Sequence, residues 1–94
     1  LVFLSLGEDG HLAGHFPNST YIKDNIFCLT NNAPKKPDRR ISFSIDYLKK
    51  SKKIILFIIG NDKRVEYLKL INFKGFHSQI TENENLTIIT DIIL

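Results

Sequence analysis

The sequence predicts an α/β fold, a mostly parallel sheet with flanking helices, from three observations. An apolar stretch, Leu1 to Leu6, and a continuous apolar run, Ile54 to Ile59, have strand length rather than helix length. Each run ends at a glycine-containing turn. Between and after them strand patterns alternate with helical ones, the order of βαβ units.

Leu1 to Leu6 is the first strand, broken by the turn Gly7-Glu8-Asp9-Gly10. His11 to Phe16 reads as a short helical turn, with Asp9 as a possible N-cap and Pro17 as its stop. Asn18 to Asp24 is a polar connection and Ile26 to Thr30 a short strand. Asn31 to Asp38, with Pro34 and Pro37, is a loop. Arg40 to Ser44 alternates Ile41 and Phe43 against serines, a half-buried strand entering a helix over Ile45 to Lys52. In that helix Ile45 and Leu48 face inward and the lysines face water. Ile54 to Ile59 is a strand covered on both faces. After Gly60 and Asn61, Asp62 begins an amphipathic helix with Val65, Leu68 and Ile71 on its apolar side. Leu86 to Thr90 is the last strand.

The chain has 94 residues, enough for one small domain with a thin core. Hydrophobic residues make up 43% and charged residues 24%, the balance of an ordinary globular protein. No apolar run approaches the ~20 residues of a membrane span, so no membrane association is expected. The single cysteine, Cys28, forms no internal disulfide and suits a reducing, cytoplasmic compartment. Its strand-like surroundings predict a buried, inert thiol. The net charge of +3 arises from two clusters, Lys35 to Arg40 and Lys49 to Lys53. The first is flanked by prolines and not interleaved with aromatics, and the second reads as a solvated helix end, so no nucleic-acid partner is expected, although a small basic binder is the competing class. The chain contains no methionine and begins inside an apolar strand, which reads as part of a longer chain.

In open α/β sheets, ligands bind beyond the carboxyl ends of the strands. The turn after the first strand puts His11 there, with Asp9 beside it, and an imidazole paired with a carboxylate is suited to proton transfer. Read without a family motif, His11 is better taken as a structural turn histidine. A helix starting there would favour the neutral imidazole. His11 and His15 also have the four-residue spacing of a helical metal pair, with Glu8 or Asp9 as a third ligand. Gly14 and Pro17 leave that helix too short, and no metal is expected. His15 is expected instead to line the pocket or pack on Phe16.

Gly7-Glu8-Asp9-Gly10-His11-Leu12-Ala13-Gly14-His15-Phe16-Pro17 resembles the 6-phosphogluconolactonase signature. That signature is Gly, any residue, Asp-Gly-His, any residue, Ala, two variable positions and Phe-Pro. The segment Pro34 to Ser44 resembles the family's Pro-rich loop, Arg and short strand. Ile54 to Lys63 resembles its strand-Gly-x-x-Lys segment. The related glucosamine-6-phosphate deaminases carry Asn-Glu-Pro where Phe16-Pro17 stands, so the lactonase branch is favoured.

The resemblance implies a Rossmann-like fold, of which residues 1–94 form a single partial domain, the C-terminal part of a larger one. It implies hydrolysis of 6-phospho-D-glucono-1,5-lactone in the pentose phosphate pathway, with no cofactor. His11 is then the base, Asp9 its partner, and Lys63 and Arg40 the phosphate contacts. By composition Arg39 competes with Arg40, and by spacing alone Lys63 is an ordinary helix lysine. The family's upstream glycine-rich loop and Asp-Glu-Arg segment have no counterpart, since no two glycines here are adjacent. The alternative is an inactive fragment or a divergent sugar-phosphate binder. Leu12, where the family has a small hydroxyl residue, His15, where it has an apolar one, and the proline missing near His77 are departures. A truncated parallel sheet leaves an open edge, so pairing with a second copy or with the missing N-terminal part is expected.

Overall fold

A computed structural model describes all residues, 1–94. Its centre is a parallel sheet in the order β1 (Val2–Ser5), β5 (Ile54–Ile58), β6 (Leu86–Thr90). Val2 pairs with Ile54 and Ile54 with Leu86, so the three strands run in register from the same end. The α/β class with a parallel sheet holds.

The other strands form a second sheet that the sequence reading did not foresee. β2 (Tyr21–Lys23), β3 (Phe27–Thr30) and β4 (Arg40–Phe43) pair antiparallel in that order. β2 falls in the segment expected to be a polar connection. Asp24 makes the hairpin possible: its carboxylate accepts from the Ile26 and Phe27 amides at 2.8 and 2.6 Å, tightening the turn to β3.

The buried core lies on one face of the parallel sheet. Leu6, Ile54, Leu56, Ile58, Leu70 and Ile80 are fully buried there. The expectation that β5 is covered on both faces is wrong: Ile54, Leu56 and Ile58 are buried, while Ile55 and Phe57 are half-buried. No helix of these 94 residues lies over that second face, so Phe3 remains 60% exposed beside Phe57. Parallel sheets are normally covered on both sides.

Two helical readings change. α1 (Ile45–Leu48) is shorter than expected, though Ile45 and Leu48 do point inward. Ser44 caps it by accepting from the Tyr47 amide at 3.1 Å. α2 (Arg64–Ile71) is rotated from the predicted face: Leu70 is buried, Tyr67 and Ile71 pack on the core, and Val65 and Leu68 are exposed. The rotation brings Glu66 inward, where it has a polar partner (below). A 3-10 turn, Asn61–Lys63, precedes α2, and a 3-10 segment, Phe76–Glu82, follows it.

β4 alternates as predicted with its faces exchanged. Ile41 and Phe43 are exposed, whereas Ser42 is half-buried and Ser44 fully buried. The inward face of this sheet is spent on polar contacts to the turn after β1. The Thr30 hydroxyl donates to the Gly14 carbonyl at 2.7 Å, and the Phe43 carbonyl meets His15 Nε2 at 3.0 Å. Cys28 is buried on that face, and burial pushes its thiol pKa up, consistent with an inert thiol. No helix is long and apolar enough to cross a membrane.

Candidate active site

The candidate site lies at the carboxyl end of β1. The chain leaves the strand at Leu6 and folds back on itself, so that Leu6 bridges Leu12 and Leu12 bridges His15. The Leu12 and His15 amides each donate to the other's carbonyl at 2.9 Å. The expected helical turn over His11 to Phe16 is therefore a tight hairpin turn, with Ala13 at φ 52°. Its local cause is short-range: Gly14 and Pro17 prevent helix propagation, and Leu12 is drawn into the core. With no helix beginning at His11, the expected dipole bias toward neutral imidazole has no source.

Asp9 and His11 are brought together. Asp9 Oδ1 lies 2.6 Å from His11 Nδ1 and accepts the His11 backbone amide at 3.2 Å. Partial burial pushes the Asp9 carboxyl pKa up. The hydrogen bonds from the His11 ring and amide outweigh it and hold the carboxyl below its ordinary value. A carboxylate only accepts, so Nδ1 carries the proton that faces Asp9. The ring is packed over Gly7, where a Cβ would fall 2.1 Å from Nδ1. Its plane stacks on Phe16 with ring centres 4.7 Å apart. The imidazole is thus fixed on two sides, while its side chain stays 34% exposed.

Arg40 shares the same aromatic ring. Its guanidinium carbon lies 4.9 Å from the Phe16 ring centre. Its Nε donates to the Pro37 carbonyl at 2.9 Å, and Nη2 to Lys35 and Lys36 at 3.1 and 3.4 Å. Arg40 therefore ties down the Pro-rich loop and makes no Nη1 hydrogen bond. Arg39, its rival by composition, is exposed.

Lys63 stands apart from that cluster. It follows β5, the neighbour of β1, and so lies at the same end of the parallel sheet. It is half-buried, pairs with no carboxylate, and occupies the N-cap of α2, where no side chain caps the helix. The Arg64 amide already donates to the Asn61 carbonyl through the preceding 3-10 turn, so the unpaired ammonium is the group suited to an anion.

His15 is not a partner for His11 in metal binding. It is 7% exposed, engaged with the Phe43 carbonyl and set edge-on to Tyr21. It lines a pocket with Phe16, Tyr21, Lys23, Asp46 and Phe76. Two residues at the site escaped the sequence reading. Half-buried Glu66 on α2 and buried His77 in the second 3-10 segment form a pair directly behind Gly10. Eleven residues separate them, and only tertiary contact reveals the pair.

Comparison with known proteins identifies the family and the fold. Residues 1–79 match the family described as glucosamine-6-phosphate isomerases/6-phosphogluconolactonase. The chain is 33% identical over 101 residues to the 6-phosphogluconolactonase of Borreliella burgdorferi, covering 97% of this chain and 42% of that protein. It is 35% identical over 65 residues to a probable 6-phosphogluconolactonase 2 of Oryza sativa subsp. indica, covering 67% of this chain and 23% of that protein. The chain thus spans less than half the length of these relatives. The fold matches the crystal structure of 6-phosphogluconolactonase from Leishmania guyanensis with a TM-score of 0.78 at 19% identity, over 95% of this chain and 38% of that one. A 6-phosphogluconolactonase from Shewanella baltica gives 0.73 at 21% identity, over 95% and 43%. By the family match across 79 of its residues and by its likeness to the Borreliella protein, the chain belongs to the glucosamine-6-phosphate isomerase/6-phosphogluconolactonase family.

Proposed function

We propose that this chain carries the general base and part of the phosphate site of a 6-phosphogluconolactonase, which hydrolyses 6-phospho-D-glucono-1,5-lactone to 6-phosphogluconate. The observation that carries the reading is the Asp9–His11 pair, 2.6 Å apart at the end of a parallel strand. His11 Nε2 takes a proton from water as its oxygen attacks the lactone carbonyl carbon. Asp9 stabilises the imidazolium that forms. The tetrahedral intermediate then expels the ring oxygen, which receives the proton from Nε2. Such general-base help contributes about 10²–10⁴ in rate. Lys63 holds the 6-phosphate, and Arg40, anchored over Phe16, is the weaker second cation. Neither a metal nor an organic cofactor enters this scheme, and the lone buried thiol fits a cytoplasmic setting.

The test is lactone hydrolysis above the spontaneous rate, with wild type and His11→Ala compared. A rate that falls to background in the variant supports the reading; equal rates above background overturn it.

A second reading has its own support: the apolar sheet face around Phe3 is bare, and β1 pairs on one edge only. On that reading the site is completed by a further polypeptide, a second copy or an N-terminal part. This chain alone would then bind a sugar phosphate without turnover. Calorimetry with 6-phosphogluconate in the absence of hydrolysis separates the two.

A further inference from the structure

His77 is 2% exposed, and its Nε2 lies 2.9 Å from Glu66 Oε2. The other ring nitrogen, Nδ1, is buried and meets no hydrogen-bond partner. Since a carboxylate only accepts, Nε2 carries the proton that faces Glu66, and Nδ1 is left without a partner. Lys69 Nζ holds the second carboxylate oxygen at 3.2 Å. Burial pushes the Glu66 pKa up, and the hydrogen bonds from His77 and then Lys69 more than offset it, so that Glu66 is held ionised. An unsatisfied buried nitrogen is a cost that packing alone does not explain.

The carboxylate has a second neighbour. Gly10 is buried at φ +88°, and a Cβ there would lie 2.9 Å from Glu66 Oε2. Gly10 stands between Asp9 and His11. Its amide donates to the Gly7 carbonyl at 3.0 Å, and the Gly7 amide to the His11 carbonyl at 2.9 Å. The back of the turn therefore rests on an anion clamped at both oxygens. Glu66 is also one helical turn beyond Lys63. One side chain thus touches the turn bearing His11 and belongs to the helix that Lys63 opens.

We propose that Glu66 and His77 are positioning residues: the pair sets the turn Gly7–His11 against the first turn of α2. It thereby fixes the orientation of the His11 imidazole and its separation from Lys63. The role rests on the reading of His11 as base, but ring geometry can be measured without turnover.

The experiment is long-range ¹H–¹⁵N NMR of this chain, whose three histidines are His11, His15 and His77. In wild type, His11 gives a single Nδ1–H tautomer pattern with a downfield ring proton bonded to Asp9. His77→Leu frees Glu66 and collapses that pattern to an averaged one. His77→Gln, whose amide nitrogen reaches where Nε2 stood, restores it. Ile80→Val, in the same 3-10 segment, lowers Tm and leaves the His11 pattern intact. If His77→Leu does not fold, Glu66→Ala gives the same loss of pattern. A His11 pattern unchanged in His77→Leu or Glu66→Ala overturns the proposal, as does equal loss in Ile80→Val. An averaged His11 ring already in wild type overturns the base reading as well, so the two failures are distinguishable.

Discussion

The Phe16 ring carries both His11, stacked at 4.7 Å, and the Arg40 guanidinium, 4.9 Å from its centre. One aromatic side chain thereby joins the turn after β1 to the Pro-rich loop before β4. Phe16 is 5% exposed, so the platform is itself held by the core. Phe16→Leu is expected to keep the fold and lose the platform. Lactone hydrolysis should fall at least tenfold while the midpoint of urea unfolding moves little; an unchanged rate would show that the stacking has no catalytic role.

Gly7→Ala places a methyl group 2.1 Å from the present position of His11 Nδ1. The ring must leave Asp9, and the whole general-base contribution of about 10²–10⁴ should vanish from kcat. Asp9→Asn keeps an acceptor but loses the charge that stabilises imidazolium, so its loss should be smaller. A steady-state assay of both variants, with circular dichroism as a check of folding, tests the order.

Lys63→Ala should act differently. Losing a phosphate contact weakens ground-state and transition-state binding alike, so KM rises while kcat is nearly unchanged. A fall in kcat at constant KM would move Lys63 out of the phosphate site.

Acid should destabilise the fold through Asp9 and Glu66. Both carboxyls are held below their ordinary values of 3.8 and 4.5 in the folded state. A depressed folded pKa contributes stability that is fully present above the unfolded value and lost as pH falls through the folded one. Tm should therefore be flat near neutrality and decline below about pH 4. The combined Asp9→Asn and Glu66→Gln variant should show a shallower decline. A parallel decline in variant and wild type would assign the acid sensitivity to other carboxylates.

The bare edge of β1 makes a prediction of its own. Leu1 to Leu6 contains no charge and no proline, the devices that normally protect an edge strand. This chain should self-associate in a concentration-dependent way, and Phe3→Lys should shift it toward monomer in light scattering. A wild-type chain that is monomeric at all concentrations would count against the exposed edge as a pairing surface.

The strands β1, β5 and β6 were legible because each is a short apolar run bounded by turn residues, a local property. The Asp9–His11 pair was legible for the same reason: two residues apart, they meet wherever the turn goes. Facing was legible in α1, where Ile45 and Leu48 point inward, but not in β4 or α2. Ile41 and Phe43 look like an inward stripe, yet the inward positions belong to Ser42 and Ser44, because the turn at Gly14 packs so close to β4 that a Cβ there would fall 2.7 Å from Ser42 Oγ. Val65 and Leu68 likewise look like the core side of α2, but Glu66 is drawn in by His77. Local pattern determines where the chain extends and where it turns, since those preferences reside in each residue and its near neighbours. Which face is buried, and which distant side chain satisfies a buried polar atom, is decided only when separate elements pack. That choice depends on partners tens of residues away, such as Thr30 for Gly14 and Arg40 for Phe16.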